Sequence, residues 1–386
     1  MRDKNIAIVI TDYGSYLNFL IDFAIELSNT SSYKVYVFAS KNNLIKFNSN
    51  YTFENIVYCD VDFPRTLNIR KLVSASFRVK RLVRLHNITL VHAHFTSAIF
   101  ASILFKVRSC TYWGTFHGLN YNVKKGVSKY LFGLIELFSV SRLDKTIVLN
   151  QYDYNCLKKI KAKKIVKTKS FGVGCKIENF PTKLSPFFMR KRENLVIGFT
   201  GRFVAFKGFD LLIRTFKLLE ESVDFRVSLK LIGDFDPARN SGLTISEIKY
   251  LTSNENIRIT GFIDNVQDEL AECDIFLFLS RKEGLPVSLL EALSSGKLVV
   301  ALKSRGVEDI ITDEINGFLV DDNFSDDIIV KNIVQLLIEK VCFFNRYKNI
   351  VDTIEQDRLK YSRQAYINEQ ILMIKGIKNE SGIFAN

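Results

Sequence analysis

Short runs rich in β-branched and aromatic residues alternate with longer amphipathic stretches along the whole chain. In the first half the strand-length runs are 6–10, 34–38, 88–92, 110–116, 146–149 and 164–169. Between them, apolar residues recur at helical spacing over 16–28, 66–86, 95–107, 124–141 and 151–161. The second half repeats the scheme, with strands at 195–199, 228–232, 257–259, 275–279, 298–301 and 317–320 and helices at 207–221, 243–253, 265–272, 286–295 and 325–345. Such alternation predicts right-handed βαβ units and parallel sheets covered on both faces. At 386 residues the chain exceeds one ordinary core. It is therefore expected to be α/β, with two tandem Rossmann-like, doubly wound domains over 1–174 and 195–352, joined by a linker at 175–194. Pro181, Pro186 and Arg190-Lys191-Arg192 suit an exposed joint. A terminal segment, 353–386, carries a long helix over 353–376 that is expected to return to the first domain. Ligands of doubly wound folds sit at the C-terminal ends of the strands, so two facing edges would form an interdomain cleft.

Composition narrows the class. Hydrophobic residues make up 47% and charged residues 25%, an ordinary soluble balance. No apolar run approaches the ~20 residues needed to cross a bilayer. The N-terminal stretch reads as a first buried strand rather than a signal peptide. Six cysteines are scattered without a Cys-x-x-Cys pair, which argues against a zinc site and a secreted disulfide framework. Cys110 and Cys273 read as small buried hydrophobes. A cytoplasmic protein is expected.

Candidate chemistry gathers where strands end. Glu283-Gly-Leu-Pro-Val-Ser-Leu-Leu-Glu291 follows the 275–279 strand and opens a helix. Pro286 suits the first helical position, and the amides of 284–288 face outward as a phosphate-ready helix start. Glu283 stands in the loop, and Glu291, one turn inside, can reach back along the same ligand. Carboxylates suit sugar hydroxyls because each oxygen accepts several hydrogen bonds. Read alone, this segment is equally compatible with two solvated acids flanking an ordinary turn. Gly198-Phe-Thr-Gly-Arg-Phe-Val-Ala-Phe-Lys-Gly also ends a strand and opens a helix. Gly201 permits a tight exit, while Arg202 and Lys207 place two cations able to neutralise a diphosphate leaving group.

Further motifs follow in order: Gly261-Phe-Ile, Cys273-Asp-Ile-Phe-Leu-Phe-Leu-Ser, Gly296-Lys-Leu-Val-Val-Ala, and Gly306-Val-Glu-Asp-Ile-Ile with Asn316-Gly-Phe-Leu-Val. With Val91-His-Ala-His94, Thr115-Phe-His-Gly118 and Gly172-Val-Gly-Cys-Lys-Ile-Glu-Asn-Phe180 in the first half, the series resembles the retaining family 4 glycosyltransferases, which have the GT-B fold. The resemblance implies that Arg202 and Lys207 hold the donor diphosphate, Glu283 contacts the transferred sugar and Glu291 binds the ribose. The backbone of Gly284, Leu285, Pro286 and Val287 would cradle sugar and phosphate, and that of Phe262 and Ile263 would meet the base. His117 resembles the histidine that reaches the sugar from the N-terminal domain; otherwise it would merely pair with a strand-end carbonyl. At least one of His92 and His94 is expected to be structural or acceptor-side. Many relatives have a Gly-Gly turn after the first strand, whereas here Thr11-Asp-Tyr-Gly-Ser-Tyr16 offers only Gly14 for close backbone approach. Asp60-Val-Asp62 reads as a structural loop, and no metal or other cofactor is expected.

Charge adds a partner. Residues 1–190 hold 29 Lys and Arg against 11 Asp and Glu, whereas 191–386 hold 25 against 30. The basic half includes Arg65, Arg70, Lys71, Arg78, Lys80, Arg81 and Arg84 on one apolar-striped helix, Lys124, Lys125 and Lys129 before Tyr130, and the lysines of 158–169. Such a surface suits an anionic membrane, though an ordinary solvated helix face would look similar. No nucleic-acid module or groove of interleaved aromatics is present, so nucleic acid is not an expected partner. The expected activity is retaining transfer of a hexose or N-acetylhexosamine from a nucleotide diphosphate sugar, UDP first, to a glycan acceptor. That acceptor is expected to be lipid-linked, at the inner face of a bacterial membrane, in capsule, exopolysaccharide or O-antigen assembly. Two alternatives stay open: a sugar-nucleotide epimerase or hydrolase of the same fold, and a catalytically silent, membrane-docked scaffold.

Overall fold

The computed structural model describes residues 4–30, 33–41, 53, 55–64, 68–121, 126–162, 164–182, 185, 188, 193–237, 239–341 and 344–376. Arg65, Lys124, Lys125, Lys163, Pro186, Arg190-Lys191-Arg192 and Cys342 lie outside the described residues. The chain forms two compact units, one of residues 1–173 with 366–385 and one of residues 174–365.

The first unit holds seven parallel strands: β1 (Lys4–Asp12), β2 (Tyr33–Ser40), β3 (Ile56–Asp60), β4 (Leu90–His94), β5 (Thr111–Phe116), β6 (Lys145–Val148) and β7 (Ile165–Lys167). Their order is β3-β2-β1-β4-β5-β6-β7, so the sheet grows outward in both directions from β1 and β4. β1 is buried over 6–10, as a central strand covered on both faces must be. The second unit repeats the plan with β8 (Leu195–Thr200), β9 (Val227–Ile232), β10 (Ile257–Gly261), β11 (Ile275–Phe278), β12 (Leu298–Leu302) and β13 (Phe318–Val320). Its order, β10-β9-β8-β11-β12-β13, reverses between β8 and β11. Ligand crevices of doubly wound sheets open at such a reversal, beyond the C-terminal ends of the strands.

The structure departs from the sequence reading in five places. β3, the edge strand Ile56-Val-Tyr-Cys-Asp, went unread; of its five residues only Ile56 and Cys59 are buried. Asp60, expected in a loop, closes that strand and accepts the Lys41 amide at 3.0 Å, while Asp62 pairs with Lys71. The 16–28 helix is two, Tyr13–Phe19 and Ile21–Asn29, with no Gly or Pro to mark the break at Leu20. The 353–376 helix is also two, Phe344–Asp357 and Arg363–Lys375, because Ser362 takes extended geometry to pair with Cys175. The start of the supposed exposed linker packs into the second unit instead. Phe180, Ser185 and Phe188 are buried, Ser185 Oγ donates to Asp274, and Arg358 donates to the carbonyls of Ile177 and Phe180.

Candidate active site

In the second unit the chain leaves β8 through Gly201, passes Arg202 and a 3-10 turn (Ala205–Lys207), and enters the helix Phe209–Ser222 at Gly208. Gly208 is left-handed at φ 71°, and a Cβ there would lie 1.9 Å from the Leu279 carbonyl oxygen. Only glycine lets this turn press against the loop that follows β11. The approach brings Lys207 Nζ to 2.5 Å from Glu283 Oε1, which also accepts a 2.7 Å bond from Ser280 Oγ. The far side of the loop is fixed as well. Arg305 Nε donates to the Glu283 carbonyl at 2.7 Å, and Gly306, at φ 80°, abuts the Gly284 carbonyl so closely that a Cβ would sit 2.1 Å away. Glu283 and Gly284 are thereby held from both sides of the loop.

Pro286 stands at the N-cap, one residue before the expected position, and the helix runs Val287–Ser294. The amides of its first turn lack intrahelical acceptors, which makes this end electropositive. Glu291 lies one turn inside. Burial pushes its carboxyl up to about 7, against the opposing pull of Arg363.

A pocket of about 350 Å³ opens at the exits of β8, β9 and β10, lined among others by Thr200, Gly201, Arg202, Gly233, Phe262 and Ile263. Gly233, at φ 142°, carries the close backbone contact between the β8 and β9 exits, since a Cβ would lie 2.0 Å from the Gly201 oxygen. Phe262 is 82% exposed on the rim. Arg202 Nη1 donates to Asp236 at 2.6 Å, and Arg239 approaches the same carboxylate. Sequence reasoning missed Ser280, Gly233, Arg305 and a second Asp-x-Asp, Asp234-Phe-Asp236. The last was legible, because Gly-Asp directly after an apolar strand marks a sheet-edge turn. Arg305 reaches Glu283 from a separate loop and left no local signal.

In the first unit, β4 carries His92 and His94, and His117 directly follows β5. His92 pairs with Thr115 Oγ1 at 2.7 Å, and His94 Nδ1 lies 3.1 Å from His117 Nε2. Burial lowers all three, His92 to about 3 and His117 to about 4, so they are neutral at physiological pH. His92 and His94 are fully buried, whereas His117 is partly exposed and stacks on Phe95 at 4.2 Å. Phe95 holds φ 67°, strained for a residue with a side chain. Gly14 sits in the first turn of the helix Tyr13–Phe19, which Asp12 caps through the Ser15 amide. Among the described residues, no group of three or more His, Cys, Asp or Glu is arranged to hold a metal.

Comparison with known proteins now decides the family. The glycosyltransferase family 4 model matches residues 18–166, and the model for glycosyl transferases group 1 matches residues 194–339. The chain belongs to glycosyltransferase family 4. Among its relatives, the capsular polysaccharide biosynthesis glycosyltransferase CapH of Staphylococcus aureus is 28% identical over 274 residues, covering 69% of this chain and 72% of CapH. Sucrose-phosphate synthase from Thermosynechococcus elongatus superposes with a TM-score of 0.74 at 16% identity, covering 97% of this chain and 98% of the synthase. Anabaena HepE, in complex with UDP, gives 0.73 at 18% identity over 97% of this chain and all of HepE. Identities this low speak for the fold, which is GT-B.

Proposed function

We propose that this family 4 member is a retaining glycosyltransferase that moves a hexose or N-acetylhexosamine from a nucleotide diphosphate sugar to a lipid-linked glycan in bacterial surface polysaccharide assembly. The observation that carries the reading is the Lys207–Glu283 pair, held at the sheet reversal by a turn only Gly208 can make. CapH, a capsule enzyme by name, supports the polysaccharide context, and HepE, solved with UDP, supports UDP as the nucleotide.

Each group has a task in this reading. As the glycosyl bond breaks, negative charge grows on the departing diphosphate. Arg202, Lys207 and the first-turn amides of Val287–Ser294 supply the opposing charge. Glu283 accepts from the sugar, Glu291 from the ribose, and the backbone at Phe262 and Ile263 meets the base; Gly14 gives the phosphates backbone access. His117, a neutral imidazole, hydrogen-bonds the sugar. The acceptor hydroxyl attacks the face the diphosphate leaves, its proton passes to the departing phosphate oxygen, and the configuration is retained through an oxocarbenium-like transition state. In this reading no metal is called for, because Arg202, Lys207 and the helix amides balance the charge of the leaving diphosphate.

The test supplies UDP-sugars and a glycolipid fraction from bacterial membranes to the purified protein in excess EDTA. UDP should appear only when donor and acceptor are both present. Lys207→Ala and Glu283→Ala should each lower the rate about 10²–10³-fold with unchanged circular dichroism. UDP released without acceptor would point to a hydrolase or epimerase, and full activity in both variants would remove the assigned site.

A further inference from the structure

His117 sits at the head of a loop, 117–121, whose amides are not satisfied by the sheet. Three successive ones are taken instead by two carboxylates from two different helices. Asp153, in the helix Gln151–Lys159, accepts from the Leu119 amide at 3.1 Å. Glu136, in the helix Val127–Arg142, accepts from the Asn120 amide at 2.7 Å and the Tyr121 amide at 3.1 Å. Thr96 Oγ1 donates to Glu136 Oε1, the oxygen that accepts from the Asn120 amide, at 2.9 Å and itself accepts from Asn120 Nδ2 at 2.9 Å. Glu136 is only 3% exposed, and among the described residues no cation pairs with it. Burying a carboxylate without a counter-ion is costly. Burial does raise its carboxyl above the usual range, even though four hydrogen bonds oppose the shift. An apolar residue would fill this helix position at lower cost, yet it could not hold two adjacent loop amides.

We propose that Glu136 is a positioning residue for His117: its buried carboxylate fixes the loop 117–121 and so sets the place and orientation of the imidazole. The chain of contact is continuous. Thr96 follows Phe95, the ring on which His117 stacks, so one carboxylate ties together the residues after His117 and the segment that supports its ring face. Displacing a group by about 1 Å can cost on the order of 10² in rate, which is the scale at stake here. The inference rests on the reading of His117 as part of the transfer site.

The experiment compares wild type, His117→Ala, Glu136→Ala, Glu136→Gln and Ser139→Ala in the donor-plus-acceptor assay, with amide exchange measured at 118–121. Ser139, on the same helix, donates only to the Ile135 carbonyl and reports simple helix weakening. Glu136→Ala should lose on the order of 10²-fold in kcat with the donor KM unchanged, and exchange at Asn120 and Tyr121 should quicken. Glu136→Gln keeps one acceptor oxygen but turns a donor toward a loop amide, so about tenfold of kcat should go. Should the alanine variant fail to fold, the glutamine variant decides. Wild-type kcat in Glu136→Gln, or an equal loss in Ser139→Ala, overturns the proposal. Full activity in His117→Ala instead overturns the assignment of His117 and leaves the transferase reading to its own test.

Discussion

Lys207 and Glu283 show how far single residues were readable. Both are polar residues directly after apolar strands, where a doubly wound sheet exposes its ends, so their type and place stood out in the sequence. That they touch each other did not, since 75 residues separate them and the contact depends on Gly208 meeting the Leu279 carbonyl. Lys offers three donors and Glu four lone-pair sites, so the pair keeps capacity for phosphate and sugar. Glu291 makes the sharpest prediction at this scale. Its carboxyl is raised from 4.5 to about 7, so the folded protein holds that proton between these values while the unfolded chain releases it. Stability from this group is full below the ordinary value and is lost as pH rises through about 7. Ribose hydroxyls favour the ionised form, so affinity for a nucleotide sugar should rise as pH climbs through about 7. The diphosphate of a nucleotide sugar does not titrate there, so the slope belongs to the protein. Calorimetry on wild type and Glu291→Gln checks this: the variant should be flat, and a flat wild type would contradict the ribose assignment.

At the scale of elements, apolar runs with clear punctuation were legible, and weakly marked features were not. The central strand β1 is nine residues long and buried over 6–10, whereas β3 is a five-residue edge strand buried only at Ile56 and Cys59. The helix break at Ser362 goes with its bridge to Cys175, and no Gly or Pro announces it or the break at Leu20. Two helices of the first unit bear on its partners. Ile69–Leu85 exposes Arg70, Lys71, Arg78, Arg81 and Arg84 together with Ile69, Phe77 and Leu85. Val127–Arg142 presents Tyr130, Leu134 and Leu137 on one outward stripe, spaced as a helix face, while Glu136 points inward. A basic, partly apolar surface of this kind fits anionic lipid, with about 1 kcal/mol per cation near the membrane. No described helix is long and apolar enough to cross a membrane. Sedimentation with anionic liposomes should therefore show binding at low salt that high salt weakens, and charge reversal at Arg78 and Arg81 should reduce it. Absence of binding at low salt removes the membrane partner.

For the molecule as a whole, the order of motifs, the two doubly wound units and the family agree. The identity of the sugar was never legible, because acceptor and sugar contacts come from loops whose side chains follow no general code. The central claim is that the second unit binds a nucleotide diphosphate through Arg202, Lys207 and the first-turn amides of Val287–Ser294. Thermal unfolding against a panel of nucleoside diphosphates and their sugars, in EDTA, tests it most directly. A ligand at about 100 times its dissociation constant should stabilise the protein by ~2.7 kcal/mol. The account predicts a saturable upward shift with at least one nucleotide, UDP first, that Lys207→Ala largely abolishes. No shift with any nucleotide at millimolar concentration, or an undiminished shift in the variant, would contradict it.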